Sequence, residues 1–274
     1  MRQLPLLLGV TGHRDIHPDD FGVARDVTHR LIVQLGTRYP HTPLVVLSAL
    51  AEGSDQLVAH VAQANGAEVV CLLPMPVEAY RLTLSTDGAR TEFDRLLSCS
   101  SLVVLEDEAA ASSSTEELGS LDGHFRALGK ALATFSHILL ALWDGMPRDA
   151  PPGGTGDTVR MRLAGAPLVS PTGAHATTSL KNDLVHHIPV RRTVASEPNS
   201  RDSPVFLTRG TASSELPPAW ADLFTTLDRF NEACAGARSC SSRQDPWSAA
   251  PSSLLPFVEG MRWLETALGE RPWH

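Results

Sequence analysis

A glycine-rich segment at 151–156 has the residue types best suited to binding an anion. Its sequence is PPGGTG, and Asp157 follows at the start of a stretch with helical character. Glycines before a helix leave backbone N–H groups open, and such a nest binds phosphate or pyrophosphate at the positive end of the helix dipole. A tight turn in which Asp157 only caps the helix is the alternative interpretation. The residues expected to contact the anion are Gly153, Gly154, Thr155, Gly156 and Asp157.

Segment 9–15, with the sequence GVTGHRD, is the second candidate. Glycine allows a ligand to approach the backbone, Thr11 offers a hydroxyl, and Arg14 offers a bidentate pair of donors for phosphate. Pro18 and the acids after it open a helix, whose N-terminus adds its dipole. Alternatively, Gly12 serves only the turn and Arg14 pairs with a surface acid. The ligand-binding residues predicted from this segment are Gly9, Thr11, Gly12, His13 and Arg14.

Segment 48–55, with the sequence SALAEGSD, is the third candidate. Small residues lead into a helix capped by Ser54, and we expect Glu52 to point toward the ligand. An acid near this place commonly binds ribose hydroxyls in nucleotide-binding folds. A purely capping role for Ser54 and Asp55 is the alternative. The predicted ligand-binding residues are Ser48, Glu52 and Gly53, together with Asp144 of the WDG sequence at 143–145.

Tyr80 and the pair His186–His187 are candidates outside these loops. Tyr80 follows a predicted strand and could stack on an adenine, with a partly buried surface aromatic as the alternative. The adjacent histidines suggest a metal site, but their side chains point apart and no carboxylate cluster flanks them. The four cysteines lack zinc-site spacing and are expected to be reduced and structural. We therefore predict no metal site.

Six short apolar segments predict strands, because residues apolar on both faces suit a sheet that is covered on both sides. They are Leu4–Val10, Pro43–Ala49, Glu68–Leu73, Ser101–Leu105, His137–Trp143 and Ala166–Ser170. Helical patterns lie between them at Phe21–Gly36, Ser54–Asn65, Thr91–Ser98, Leu121–Ser136 and Thr155–Ala164. This alternation predicts an α/β fold, a Rossmann-like doubly wound and mainly parallel sheet. Ligands bind such sheets beyond the C-terminal ends of the strands, where the candidate loops fall.

The sequence changes character after residue 194. Residues 195–218 are rich in Ser, Pro and Arg and predict a linker or irregular segment, whereas 219–274 carry aromatic and aliphatic stripes with helical spacing. We therefore predict a Rossmann-like domain at 1–194, a linker at 195–218 and a small helical C-terminal appendage at 219–274. The appendage either docks on the domain or offers its stripe to a partner or a second copy. Within the domain, 106–119 is expected to be an exposed insertion that closes over a ligand.

The composition excludes several classes of protein. With 274 residues and 42% hydrophobic positions, the chain can bury a full core and is not a disordered protein. A formal net charge of −8 argues against coating bulk nucleic acid or an anionic membrane. The apolar run at 4–10 lacks a signal-peptide cleavage site, and no stretch approaches the ~18 residues of a membrane span. We expect a cytoplasmic protein.

The three loops, in this order on successive predicted strands, resemble those of the SLOG superfamily. That group includes the Lonely Guy phosphoribohydrolases, molybdenum-cofactor-carrier-like proteins, the Rossmann domain of DNA-processing protein A, and nucleotide-sensing domains of channels and antiphage systems. The resemblance covers residues 4–172. It implies a nucleotide or nucleotide-derived ligand, with its phosphates on the turn at 153–156.

The sequence departs from the Lonely Guy pattern at two positions. In those enzymes the motif runs PGGxGTxxE, and its glutamate takes part in cleaving the N-glycosidic bond. Here Asp157 stands at the threonine position and Arg160 at the glutamate position. An arginine stays protonated and cannot act as a general base. Either Glu52 or Asp157 has taken over as the catalytic carboxylate, or the domain binds without cleaving.

Three functions therefore stay open at the level of the sequence. The leading hypothesis is a sensor or regulatory module that binds a nucleotide, needs no further cofactor, and acts through homo-oligomerisation or an effector protein on the C-terminal helices. The second is an N-glycosidic phosphoribohydrolase acting on nucleoside monophosphates. The third is a scaffold that holds no ligand.

Overall fold

The computed structural model of the chain contains one eight-stranded sheet with helices packed against it. It describes residues 3–105, 121–146, 152–165, 182–193, 203–236, 247 and 250–269. The strand order is β4-β3-β2-β1-β5-β6-β7-β8. All pairs from β4 to β6 are parallel, and β7 and β8 add an antiparallel edge. This confirms the predicted α/β fold with a Rossmann-like, mainly parallel sheet.

The strands are short and, at the centre of the sheet, buried along nearly their whole length. They are β1 (Leu6–Gly12), β2 (Leu44–Ser48), β3 (Glu68–Leu73), β4 (Ser101–Val104), β5 (Ile138–Trp143), β6 (Val185–Pro189), β7 (Val205–Thr208) and β8 (Thr211–Ser213). Every residue of β5 and all but the last residue of β1 are buried. This burial explains why these segments are apolar on both faces.

The helices form two groups of neighbours, as expected for a sheet that is covered on both faces. They are α1 (Asp20–Arg38), α2 (Ser54–Ala64), α3 (Val77–Arg81), α4 (Asp87–Ser98), α5 (Leu121–Phe135), α6 (Thr155–Leu163), α7 (Pro218–Gly236) and α8 (Leu255–Ala267). Helix α2 contacts both α1 and α4, whereas α5 contacts α6. Helix α4 begins earlier than the predicted Thr91 because the Thr86 hydroxyl accepts a hydrogen bond from the Ala89 N–H and caps it.

The structure departs from the sequence-based elements at the far side of the sheet. The sixth parallel strand is β6, whereas the predicted strand Ala166–Ser170 and the predicted insertion 106–119 lie outside the described residues. The segment 195–218 was predicted to be irregular, but its described part contributes β7 and β8 to the sheet. The antiparallel pair of β7 and β8 was not predicted, because β8 has only three residues, which are all exposed and show no apolar pattern.

The two C-terminal helices dock on the domain at the edge where the strands begin. The Asn231 side chain of α7 accepts a hydrogen bond from the Leu4 N–H and donates one to the Leu4 carbonyl. Trp263 of α8 stacks on Phe135 with ring centroids 3.9 Å apart. The aromatic stripe considered as a partner surface is therefore largely buried in the main core, with Phe224 1% exposed. No helix within the described ranges is long and apolar enough to cross a membrane.

Candidate functional site

A cavity of about 460 Å³ opens at the C-terminal ends of β1, β2 and β5. Chain order reverses between β1 and β5, because β2 follows on one side of β1 and β5 on the other. Such a switch point separates the loops that follow two neighbouring strands and creates the crevice in which α/β proteins bind ligands. The cavity is lined by the loop after β1, the turn before α6, and residues from α2, α3 and α5.

The turn before α6 places backbone N–H groups on one wall of the cavity. Gly154 is the N-cap of α6, and Thr155 and Gly156 begin its first turn. N–H groups of a first turn have no acceptor within their own helix. Gly153 has φ +77°, and a Cβ there would lie 2.5 Å from the Arg126 nitrogen. Glycine is therefore required at 153 by backbone conformation and by packing against α5.

Asp157 turns back into this glycine turn. Its Oδ2 accepts a hydrogen bond from the Gly153 N–H at 3.0 Å. The same carboxylate forms ion pairs with Arg126 at 3.7 Å and with Arg160 at 3.5 Å. Asp157 therefore closes the turn by engaging the Gly153 N–H, and residues 154–156 line the cavity.

The loops after β1 and β2 are held together by one serine. Ser54 Oγ donates a hydrogen bond to the His13 carbonyl at 2.7 Å. A Cβ at Gly12 would collide with the Ser54 side chain, and a Cβ at Gly53 would collide with the Arg14 carbonyl. The helix cap predicted for Ser54 is wrong, because Gly53 is the N-cap of α2 and the Ser54 hydroxyl joins the two loops instead.

Arg14 is fixed at the mouth of the cavity. Its Nη1 donates to the Thr83 carbonyl at 2.9 Å and lies 3.5 Å from Glu52 Oε1. The guanidinium lies over the Phe125 ring, 5.4 Å from the centroid. These contacts orient the side chain, and its remaining N–H donors are not engaged by the described residues. Arg14 can therefore meet an anion without a large loss of side-chain entropy.

His13 and Asp144 form a pair in the middle of the cavity. His13 Nε2 lies 3.2 Å from the Asp144 backbone nitrogen and 3.2 Å from its Oδ2. Both side chains are mostly buried, with 12% of each exposed. Burial lowers the pKa of His13 despite the neighbouring Asp144 carboxylate. The neutral ring accepts the Asp144 N–H, so this imidazole adds no positive charge at neutral pH.

Asp55 is a buried carboxylate in the wall of the cavity. Its Oδ2 accepts hydrogen bonds from Ser48 Oγ at 3.2 Å and from the Ala49 N–H at 3.1 Å. Burial raises its pKa to about 6, although these hydrogen bonds and Arg14 favour the ionised form. Asp55 does not cap α2 but connects that helix to the loop after β2. Its titration falls close to neutral pH, as is common for groups that bind ligands or transfer protons.

Tyr80 lies beside Asp55 and is completely buried. Its ring packs between Phe93 and Phe125, with centroids 5.7 and 6.4 Å away. The hydroxyl has no hydrogen-bond partner among the described residues. Burial raises its pKa, and the nearby Asp55 carboxylate raises it further. Tyr80 is therefore neither a surface aromatic nor a ring open to stacking in this conformation.

The structure brings ten of the predicted ligand residues to one cavity. They are Thr11, Gly12, His13, Arg14, Tyr80, Asp144, Gly153, Gly154, Thr155 and Gly156. Gly9, Ser48, Glu52, Gly53 and Asp157 are not among the described residues that border it. Gly9 lies within β1 against Ser136, and Glu52 Oε1 accepts a hydrogen bond from Ser85 Oγ at 2.7 Å. Neither predicted catalytic carboxylate, Glu52 or Asp157, borders the cavity.

Several residues of the cavity were not identified from the sequence. Asp55 was interpreted only as a helix cap, although its place after β2 beside small residues was a usable signal. Phe125 and Asp122 come from the first turns of α5, and Arg192 follows β6, pairing with Asp15 at 3.0 Å. No local pattern distinguishes these residues, because only tertiary packing brings them to the loops after β1 and β5.

The described residues contain no group of three or more metal-ligating side chains. His186 and His187 lie on β6, where His186 packs on Phe206 and the His187 Nε2 lies 2.9 Å from the Trp143 carbonyl. Cys71, Cys99 and Cys234 are free thiols, and Cys240 lies outside the described residues. His186 and His187 are therefore accounted for by strand pairing and core packing. Cys71 and Cys234 are buried, and Cys99 is exposed.

The comparisons with known proteins include a structural similarity to a DNA processing protein. No family model matches the chain, and no curated protein matches it. A solved structure of DNA processing protein A from Streptococcus pneumoniae is similar at 15% identity and a TM-score of 0.32. The match covers 50% of this chain and 41% of that protein, so it spans less than half of the neighbour's length. The fold assignment therefore rests on the sheet itself.

Proposed function

We propose that the cavity at the β1–β5 switch point binds a nucleotide or nucleotide derivative, with a phosphate on the first turn of α6. One observation carries this proposal. The first turn of α6, at residues 154–156, lines a cavity of about 460 Å³ that Arg14 also borders. That volume lies within the roughly 300–1,000 Å³ typical of small-molecule sites. The resemblance of the three loops to those of the SLOG superfamily supports this proposal, since all three lie at this edge of the sheet.

We propose a sensor or regulatory role in preference to catalysis. Neither of the two carboxylates that the family resemblance suggested as catalytic borders the cavity. Glu52 Oε1 accepts from Ser85, and Asp157 closes the glycine turn while pairing with Arg126 and Arg160. In this proposal the response passes to a second copy or to an effector.

Hydrolysis of the N-glycosidic bond is a second candidate, favoured by one observation. Asp55 and Asp144 both border the cavity, and the pKa of Asp55 is about 6. A carboxylate with that pKa can exchange a proton near neutral pH. In this reaction water adds to the anomeric carbon, and the base leaves with a proton.

Equilibrium dialysis against a mixture of AMP, NAD, ADP-ribose and cyclic nucleotides separates these functions. A nucleotide retained intact on the protein side supports the sensor, whereas free base and ribose phosphate support the hydrolase. Retention of none of these compounds refutes nucleotide binding.

Two glycine variants locate the binding. Gly154→Leu places a side chain over the first turn of α6 and should abolish retention. Gly36→Leu is the control, because a Cβ at Gly36 of α1 meets nothing within 4 Å.

A further inference from the structure

We infer that Tyr80 and Asp55 form a second subsite of the same cavity, which takes an uncharged hydroxyl or amino group of the ligand. This inference rests on the proposed function. It adds which chemical group the ligand must have at a distance from its phosphate. In this inference Tyr80 of α3 and Asp55 of α2 determine which ligands bind, and neither residue contacts the phosphate.

The Tyr80 hydroxyl is the observation that points to a missing partner. The residue is 0% exposed, and the hydroxyl oxygen has no hydrogen-bond partner among the described residues. Buried hydroxyls are nearly always hydrogen-bonded, because an unpaired one loses its interaction with water without replacement. The hydrophobic core does not require this hydroxyl, since the ring contacts Phe93 and Phe125 only through its faces and edges. A ligand group supplied from the cavity explains it.

Tyr80 lies on a different side of the cavity from the glycine turn. Tyr80 follows β3 and Asp55 follows β2, whereas the glycine turn follows β5. Phe125 contacts both, because its Cβ would lie 2.8 Å from a Cβ at Gly153 and its ring centroid is 6.4 Å from that of Tyr80. A ligand with its phosphate on α6 must therefore extend past Phe125 to place a further group near Tyr80.

The charges around Tyr80 determine what kind of group fits. Asp55 borders the cavity, and Glu52 lies behind it with its Oε2 buried and unpartnered within the described residues. Arg14 is the cation facing this end, and its Nη1 is already engaged by the Thr83 carbonyl. A second phosphate here would be repelled by the Asp55 carboxylate at the cavity and by Glu52 behind it, which is unfavourable in a site of low dielectric. A hydroxyl or amino group instead donates to a carboxylate or to the tyrosine oxygen.

Tyr80→Phe tests the inference, because it removes the hydroxyl and keeps the ring against Phe93 and Phe125. We expect AMP affinity to fall about tenfold, the value of one hydrogen bond. The melting temperature should stay constant or rise, because no hydrogen bond of the fold is lost. Tyr39→Phe is the matched control. That buried hydroxyl lies 3.4 Å from the Ala221 carbonyl of α7, so its removal should leave AMP affinity unchanged.

Nucleotide analogues identify the ligand group that Tyr80 meets. AMP, 2′-deoxy-AMP and inosine monophosphate are titrated into wild type and Tyr80→Phe, and the losses are compared as a double-mutant cycle. The analogue that binds both proteins equally lacks the group in question. If that analogue is 2′-deoxy-AMP, adenosine 2′,5′-bisphosphate, which carries a second anion at the same position, should bind at least tenfold more weakly than AMP.

The possible failures are distinguishable. If wild type binds none of the nucleotides, the proposed function is refuted and this inference with it. If wild type binds AMP and Tyr80→Phe binds it equally well, only the subsite is refuted. If the 2′-hydroxyl is the group that meets Tyr80, binding of the 2′,5′-bisphosphate as tight as that of AMP refutes the requirement for an uncharged group.

Discussion

Replacing Asp55 by Asn should change how the stability of the protein depends on pH. Burial raises the pKa of Asp55 from 3.8 to about 6. A shift of about 2 pKa units corresponds to about 3 kcal/mol of destabilisation once the carboxylate is ionised in both the folded and the unfolded state. This loss is absent below pH 3.8, grows as the unfolded chain ionises, and is complete above pH 6. Between pH 4.5 and 7.5, wild type should therefore lose about 2 kcal/mol of stability relative to Asp55→Asn.

Urea unfolding followed by tryptophan fluorescence at a series of pH values measures this difference. The substitution also changes the hydrogen bonds from Ser48 and Ala49, which shifts the difference in free energy of unfolding by the same amount at every pH. The test is therefore the slope of that difference with pH. Asp20→Asn is the control with the opposite sign. The Arg191 guanidinium lowers the pKa of Asp20 below 3.8. Relative to that variant, wild type should therefore gain stability as pH rises toward about 4.5, and the difference should stay nearly constant from pH 4.5 to 7.5. A difference between wild type and Asp55→Asn that stays constant from pH 4.5 to 7.5 would refute our account of Asp55.

Three further predictions concern the framework of the site. Arg162 is fully buried and donates to four backbone carbonyls, including that of His137, so Arg162→Met should lower the free energy of unfolding by about 3–5 kcal/mol in urea titrations. Burial lowers the pKa of His137 to about 3, so between pH 7.5 and 5 this imidazole takes up a proton only in the unfolded chain. The free energy of unfolding of wild type should therefore fall by about 2 kcal/mol over this range. His137→Asn can still accept the Leu7 N–H and should not show this loss; equal acid sensitivity of the two proteins would contradict the assignment. Gly153→Ala should lower the melting temperature more than Gly210→Ala, because both have positive φ but only the Cβ at 153 meets backbone atoms. Equal shifts would show that packing against α5 is unimportant.

The docking of α7 and α8 bears on how a bound nucleotide would be reported. These helices contact Leu4 and His137, which precede β1 and β5, whereas the cavity lies at the opposite ends of the same strands. A signal that passes through the C-terminal helices must therefore cross the sheet. A partner that recognises the liganded state directly would instead bind at the loops around the cavity.

The apolar patterns of the sequence determined the sheet and its helices. Strands β1 to β5 and helices α1, α2, α5 and α6 fall close to their predicted positions, because the alternation of apolar segments with helical stripes is a local property of the chain. The loops after β1, β2 and β5 could be identified for the same reason. Ligand sites of such sheets lie beyond the strand ends whatever the residues there do.

Tertiary structure decided which of those loop residues face the cavity and which hold the loops in place. Gly53 fits a ligand-binding pattern, yet it packs against the Arg14 carbonyl where the loops after β1 and β2 meet. Ser54 resembled a helix cap, yet its hydroxyl joins the same two loops. Asp55 resembled a helix cap, yet it borders the cavity with a perturbed pKa. Such roles depend on burial and on partners far away in the chain. Spacing along the sequence carries no information about either, because burial is created only when the separate elements pack.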